Sequence, residues 1–247
     1  SSRIHLWGEI DGGGRVLLSL DPDGRRLRGF TIADGTVHEL VPSGEEHLVL
    51  AAAERLAAEG WAVEPWTCSA EEETLEAPAG FPAHGTPLPP VAPKLAGLSA
   101  AIAFDTDTEL MQLKFGNNQA AALDYIADLV AAMNVMYERD LDVTLLQGDT
   151  ILRVGSDPYN QNSGGAASSA ELYEFSSYWA AHYNGIDRAL AAMLSGKSPS
   201  PNSASGIAWL AGLCSHSYGY SFTKVFRIDY LAGDAFEHGP HELAPLD

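Results

Sequence analysis

The chain has 247 residues and a net charge of −19, with 14 Lys and Arg against 33 Asp and Glu. The phosphates of nucleic acids require a basic protein face, so this charge argues against a nucleic-acid-binding protein. No apolar run reaches the roughly 18 to 20 residues that a membrane-spanning helix needs. The two cysteines, Cys68 and Cys214, have no CxxC spacing, which excludes a zinc site made of cysteines alone.

Residues 1–69 have a β-rich pattern. Short runs of partly alternating apolar residues are separated by turn signals, such as Pro-Asp-Gly at 22–24 and Asp-Gly at 34–35, and this arrangement predicts antiparallel hairpins. The run from His47 to Ala58 is ambiguous, but its content of Ala, Glu and Arg favours a helix, which Gly60 would end. The first part of the chain is therefore predicted to be a small β-rich domain.

Residues 70–97 change in character. An acidic run at 71–73 is followed by six prolines between positions 78 and 93, interleaved with Gly and Ala. Such a stretch cannot form a helix or a central strand, so it is predicted to be an extended linker between two domains. Proteolysis concentrates in exposed, unpaired backbone, which makes this segment the expected place for any processing.

From Leu98 onward strands and helices alternate. Apolar residues at three- and four-residue spacing predict an amphipathic helix from Asn118 to Arg139, and Ser169 is expected to cap a second long helix. The expected buried face of that second helix is Leu172, Phe175, Trp179, Ile186 and Leu190. The predicted strands of this region are Ser99 to Asp105, Leu141 to Leu146 and Thr150 to Val154. The order predicts an α/β fold, a mixed twisted sheet with two long helices, preceded by the small β-rich domain.

The segment from 205 to 242 carries the most specific pattern. Gly206 to Cys214 is predicted to be a strand that ends in a turn, and Tyr218 to Tyr230 is a second strand-like run rich in aromatic and β-branched residues. The pair His241-Glu242 follows six residues from the end. This order resembles the metzincin zinc proteases, specifically the reprolysin-like (adamalysin-type) branch and most closely its bacterial secreted members. The resemblance covers roughly residues 98–236.

The resemblance implies a domain organisation and an activity. Residues 1–69 would be a pro-region, 70–97 a linker, and 98–247 a C-terminally incomplete catalytic domain with the fold of the metzincin N-terminal subdomain. The activity would be that of a secreted zinc-dependent metalloendopeptidase. No signal peptide is visible at Ser1, so either a leader was removed, as the resemblance implies, or the protein is cytoplasmic. A peptide or protein substrate would pair with an edge strand, formed here by Gly206, Ile207, Ala208, Trp209 and Leu210.

The zinc motif of this family is matched only in part. A metzincin needs three neutral imidazoles on zinc and a Glu that acts as general base toward the zinc-bound water. His241 and Glu242 match the first two positions of HExxHxxGxxH, but Pro245 stands at the second ligand position, and the third would fall at position 251, beyond Asp247. We therefore expect this chain to be inactive toward peptides. A non-catalytic interaction protein that kept the scaffold is the competing hypothesis.

Cys68 is a candidate inhibitory zinc ligand. In this family a cysteine of the pro-region can occupy the open position of the zinc and keep the zymogen silent. The local sequence PWTCSA does not match the better-known switch motif closely. A buried thiol, or a disulfide with Cys214, is the alternative.

Other residues have a functional and a structural interpretation side by side. Asp105 and Asp107 follow a predicted strand and could bind Ca²⁺, although no EF-hand spacing is present and solvated turn carboxylates are the alternative. His238 and His241 could share a metal, or lie solvated in a tail. His182 and His216 belong to no motif and are expected to be surface or hydrogen-bonded core residues.

Overall fold

The computed structural model describes residues 3–21, 27–33, 36–42, 48–52, 97–161, 165–197, 205–209 and 212–225. These residues form two five-stranded sheets and two long helices. Residues 226–247, with His238, His241, Glu242 and Pro245, lie outside the described residues, as do Cys68, Leu210 and positions 70–96 of the predicted linker.

The first sheet is an antiparallel meander in which each strand pairs with the next along the chain. Its strands are β1 (Ile4–Ile10), β2 (Gly14–Leu20), β3 (Leu27–Ala33), β4 (Thr36–Pro42) and β5 (Leu48–Ala52). Gly12 and Gly13 turn the chain between β1 and β2 with φ values of 102° and 103°, which residues with a Cβ rarely adopt. The antiparallel hairpins predicted from the sequence are confirmed. The helix favoured from His47 to Ala58 is wrong over Leu48–Ala52, which pairs with β4 instead, and residues 53–58 lie outside the described residues.

The second sheet has the order β7-β6-β8-β10-β9. Its strands are β6 (Leu98–Thr106), β7 (Val143–Ile151), β8 (Leu190–Ser195), β9 (Gly206–Ala208) and β10 (Tyr220–Lys224). The strands β7, β6, β8 and β10 are parallel, and β9 alone runs antiparallel to its neighbour β10. This is the mixed sheet that the sequence predicts. The two strands predicted from Leu141 to Leu146 and from Thr150 to Val154 are one strand, Val143–Ile151, with a register shift opposite Ile102 and Phe104.

Helix α1 (Gln119–Leu141) covers one face of the second sheet. Asn118 caps it, because its side chain accepts a hydrogen bond from the N–H of Ala121 at 3.2 Å. Asn134 ties the helix to β7: its amide donates to the carbonyl of Leu145 at 2.9 Å and accepts from the N–H of Leu145 at 2.6 Å. The helix predicted over 118–139 is confirmed.

Helix α2 (Ser169–His182) covers the opposite face of the same sheet. Ser168, rather than Ser169, is the capping residue, and it forms a reciprocal capping box with Glu171. The helix is shorter than the sequence pattern suggests. Leu190, expected on its buried face, begins β8 instead.

Helix α1 is long and apolar enough to cross a membrane by length and composition, but half of that apolar segment is buried inside the protein. Two sheets account for this burial. Ile126 and Leu129 share a buried cluster with Phe104 of the second sheet and with Leu17 and Phe30 of the first. Burial as a core helix between the two sheets is thus sufficient to explain its apolar composition.

Candidate functional site

The carboxyl ends of β6, β8 and β10 meet at one edge of the second sheet. Ligands of open α/β sheets bind at this kind of edge, and β10 ends there at Lys224, just before the segment that carries His241 and Glu242. The β6 terminus, defined as residues 105–108 (Asp-Thr-Asp-Thr), lies at the centre of this edge. Asp105 and Thr106 both bind Arg153, whereas Asp107 and Thr108 bind other parts of the surrounding structure.

Asp105 holds the loop that follows β7. Its carboxylate is fully buried and accepts two hydrogen bonds from the guanidinium of Arg153, from Nε at 2.9 Å and from Nη2 at 2.7 Å. The hydroxyl of Tyr159 donates to it at 2.6 Å and the indole of Trp179 at 2.8 Å. Although burial opposes it, the hydrogen bonds and charge of Asp105 raise the pKa of Arg153, so the guanidinium stays protonated.

Aromatic rings surround the same guanidinium. Its central carbon lies 5.7 Å from the ring centre of Tyr159, 5.4 Å from that of Tyr178 and 5.6 Å from that of Tyr183. Contacts of this kind attract a cation to the ring face. Burial and the nearby Asp105 raise the pKa of Tyr159, so its hydroxyl keeps the proton that it donates. In this arrangement the charges of Asp105 and Arg153 neutralise each other.

Asp107 binds the end of β8. It is fully buried and accepts hydrogen bonds from the hydroxyl of Ser195, from the N–H of Gly196 at 2.9 Å and from the N–H of Leu110 at 2.7 Å. Burial raises the pKa of Asp107 despite these donors. Only glycine fits at 196, because a Cβ there would lie 2.2 Å from the nitrogen of Leu110.

These contacts correct the expectation for the two aspartates. Asp105 and Asp107 are neither solvated turn carboxylates nor a calcium site, because both are fully buried and their oxygens accept hydrogen bonds from protein donors. Calcium needs six to eight oxygen ligands around an open position. Thr108 completes the β6 terminus, donating to Asp157 from its N–H at 2.7 Å and from its hydroxyl at 2.6 Å.

Lys224 fixes the end of β10. Its ammonium is fully buried, lies 3.0 Å from a carboxylate oxygen of Glu171, and donates to the carbonyls of Gly165 at 3.1 Å and Ala166 at 3.4 Å. A buried ion pair persists when further hydrogen bonds satisfy both partners. The pair therefore joins the last residue of β10 to the first turn of α2.

Sequence reasoning missed this network. The only sequence signals were a lysine inside the apolar run Tyr220 to Val225 and an aspartate at the end of the apolar run Ser99 to Asp105. Neither signal reveals the partner, because Arg153 and Glu171 are distant in sequence from the residues they bind.

The strand β9 lies at the edge of the second sheet, where the sequence places it, but it is shorter than predicted. It spans Gly206–Ala208, whereas the predicted strand extended to Cys214. The N–H of Trp209 donates to the carbonyl of Tyr220, and the N–H of Lys224 donates to the carbonyl of Ser205. Hydrogen-bonded pairs alternate along an antiparallel ladder, so the backbone groups of Gly206 and Ala208 point away from β10. No other described strand pairs with β9.

The histidines and cysteine of the described part form no metal site. Among the described residues, no group of three or more His, Cys, Asp or Glu is placed to hold a metal ion. His182 and His216 are exposed, and the His182 ring lies 4.3 Å from that of Tyr178. Cys214 is an exposed, free cysteine, so the alternative of a disulfide with Cys68 is not formed. The roles predicted for His241, Glu242 and Cys68 stay predictions.

Comparison with known proteins identifies the second half of the chain. Residues 123–240 match the family model described as Metallo-peptidase family M12B Reprolysin-like. This segment is similar to the reprolysin-like metallopeptidases. It runs from within α1 past β10, so it includes the edge strand and the partners of Asp105 and Lys224, whereas residues 105–108 precede it. The resemblance seen in the sequence is confirmed, and with it a metallopeptidase-type domain.

A crystal structure of metalloproteinase-II from Bacteroides fragilis is also similar to this chain. The sequence identity is 11% and the TM-score 0.38, over 90% of this chain and 70% of that chain. No curated protein matches the chain. The α/β fold class rests on the mixed sheet and its two helices themselves.

Proposed function

We propose that this chain comprises the pro-region and part of the catalytic domain of a secreted, zinc-dependent endopeptidase. The observation that carries the proposal is the antiparallel edge strand β9 within a segment that matches a metallopeptidase family. Residues 1–69 are then the pro-region and residues 98–247 the catalytic part, joined by the linker. The separate five-stranded sheet of the first part supports this division.

Substrate binding follows from the edge. Gly206 and Ala208 each present an N–H and a carbonyl on the side away from β10, and an extended peptide forms backbone hydrogen bonds with such groups. The edge leaves room for a peptide backbone, since Gly206 has no side chain and that of Ala208 is a methyl group. Trp209 supports the strand, with its ring 4.8 Å from that of Tyr173 and 6.0 Å from that of Tyr218. A firmly packed strand loses little entropy when a peptide binds.

Pro245 interrupts the zinc-binding motif of this chain. Zinc in a metallopeptidase lowers the pKa of a bound water to about 7 and polarises the scissile carbonyl. His241 is the one residue that the motif assigns to the metal here, and Pro245 occupies the second ligand position. One imidazole does not hold zinc at useful affinity, because such sites take three or four protein ligands. We therefore assign no hydrolytic step to the 247-residue chain and propose that it is inert.

Metal analysis and a cleavage assay of the purified chain test this proposal. We expect less than about 0.1 zinc per chain after dialysis and no cleavage of a quenched fluorescent peptide above the rate of buffer alone. Cleavage that a chelator abolishes would overturn the assignment of inertness.

A further inference from the structure

The first sheet rests on the outer side of α1. Leu17 of β2 and Phe30 of β3 are almost fully buried, with 3% and 4% of their surfaces exposed. Both belong to the same apolar cluster as Ile126 and Leu129 of the helix. The two parts of the chain therefore meet at a buried apolar interface.

Charged side chains from the first sheet converge on a single carboxylate of the helix. Asp128 accepts a hydrogen bond from Nη1 of Arg28 at 3.0 Å and another from Nη1 of Arg3. Nε of Arg3 also lies 2.9 Å from a carboxylate oxygen of Asp21, and Nδ1 of His5 lies 4.0 Å from Asp128. The side chains of Arg3 and Asp128 are only 7% and 19% exposed. We refer to Arg3, His5, Asp21, Arg28 and Asp128 as the Asp128 cluster.

The attraction within the Asp128 cluster opposes the repulsion between the net charges of the two parts of the chain. Residues 1–69 contain 6 Lys and Arg against 11 Asp and Glu, and residues 98–247 contain 7 against 18. Both parts are net negative, so their overall charges repel each other. Two arginines facing one buried carboxylate reverse that sign at the contact, and electrostatic matching of this kind selects a partner and its orientation.

We propose that Asp128 is the anchor of a docking surface on α1 that holds the N-terminal sheet without help from the covalent linker. The partner that fits this surface is an apolar sheet face carrying two arginines, which the chain supplies itself. The description of that sheet as a pro-region rests on the proposed function. It follows that cutting the linker alone does not release the sheet.

Single and combined substitutions in the Asp128 cluster should affect docking differently. Removing one partner of a buried ion group leaves the others charged and unpaired, whereas replacing all of them together is often nearly neutral. Asp128→Asn removes the anion that Arg3 and Arg28 share and leaves Asp21, which pairs with Arg3, as the one carboxylate of the cluster for two arginines, so it weakens docking strongly. Adding Arg3→Gln and Arg28→Gln to the same protein removes the unpaired charges and restores much of the docking.

The test uses the whole chain, cut after folding. A recognition sequence for a site-specific protease is inserted between residues 78 and 93, and the folded protein is cut and passed over a size-exclusion column at a series of dilutions. We expect the two pieces to elute together at micromolar concentration. Asp128→Asn is expected to raise the concentration of half-dissociation by at least about tenfold, and the triple variant to recover part of that loss.

The matched control is Asp140→Asn on the same helix. Asp140 also pairs with an arginine, Arg139, at 2.6 Å, but both side chains are about half exposed, and the charge of Arg15 on the first sheet has a smaller effect on the pKa of Asp140 than Arg139 has. Asp140→Asn should therefore change elution far less than Asp128→Asn. Separation of the wild-type pieces on cutting, or wild-type behaviour of Asp128→Asn, would overturn the proposal. If Asp128→Asn lacks a folded circular dichroism spectrum, Arg28→Gln takes its place, with the same expected direction.

These readouts are independent of the proposed function. Co-elution requires neither zinc nor peptide cleavage, so a chain that fails every peptidase test still tests the docking surface. Conversely, loss of docking in the wild-type chain leaves the peptidase proposal intact.

Discussion

The guanidinium of Arg153 donates two hydrogen bonds to the fully buried carboxylate of Asp105, at 2.9 and 2.7 Å. This contact joins the end of the central strand β6 to the loop after β7. Because Tyr159 and Trp179 donate to the same carboxylate, one side chain organises the edge of the sheet where the reprolysin-like segment would carry its chemistry.

Asp105→Asn should destabilise the protein strongly. The substitution keeps the shape but leaves Arg153 without an anionic partner inside its ring of tyrosines. Breaking a buried ion pair in this way costs about 3–5 kcal/mol, which chemical denaturation measures as a loss of unfolding free energy. Asp140→Asn, which removes an exposed pair, is the control and should change it little. A loss for Asp105→Asn as small as that of the control would show that the cluster is not structural.

Lys224→Met should be rescued by a second substitution. Alone, it leaves the carboxylate of Glu171 buried without its cation, again at a cost of about 3–5 kcal/mol. Lys224→Met with Glu171→Gln removes both charges while glutamine still serves the capping box of α2. The double variant should therefore be more stable than the single one, as a double-mutant cycle in denaturant measures. Additive losses would contradict the direct pairing of the two charges.

The extent to which the sequence predicts this structure depends on how local each signal is. The capping residues and the apolar spacing of the helix over 119–141 are local features of the sequence, so the sequence predicts this helix nearly to its ends. The strand β8 was missed because Leu190–Ser195 is buried on both faces. Such a strand has no alternation that distinguishes it from a buried helix.

The helix prediction for the segment from His47 is wrong for a different reason. Its composition favours a helix, but pairing with β4 overrides that local preference. The candidate site shows the same limit. The edge strand could be found from its own residues, whereas the partners of Asp105 and Asp107 come from three distant parts of the chain. Only the folded topology brings them together.

Peptide binding at β9 should depend on one backbone N–H. Ala208→Pro removes the outward-facing donor while leaving the bonds of β9 to β10, and proline is tolerated on edge strands. Loss of one hydrogen bond predicts about five- to tenfold weaker binding. Fluorescence polarisation with labelled casein peptides measures this, and Ala208→Ser, which keeps the N–H, is the control. Equal weakening by both substitutions would point to the side chain instead.

The folded protein should lose stability as the pH falls from about 7.5 to 5.5. Burial lowers the pKa of His5 from 6.5 in the folded protein, against the charge of Asp128. A proton therefore binds more tightly to the unfolded chain, and the stability that is present above pH 6.5 is lost as the pH falls below it. Asp124, Asp128 and Arg3 face this imidazole, with Ser19 as its hydrogen-bond partner.

The charge of Asp128 belongs to the same balance. Burial raises its pKa, whereas the charges of Arg3 and Arg28 lower it. Denaturation of the uncut protein across this pH range measures the sum, and His5→Gln should flatten the dependence above about pH 5.5. An unchanged dependence in that variant would exclude His5 as the titrating group.

The central proposal is that residues 98–247 form the scaffold of a zinc peptidase in which Pro245 stands at the second ligand position. The most direct measurement is zinc binding by a variant with Pro245→His, extended by four residues that complete HExxHxxGxxH through position 251. We predict that metal analysis finds one tightly bound zinc per chain in this variant and none in the unaltered chain. Adding His241→Ala should remove the zinc again. A folded, completed variant that binds no zinc would contradict it and favour a non-catalytic interaction protein.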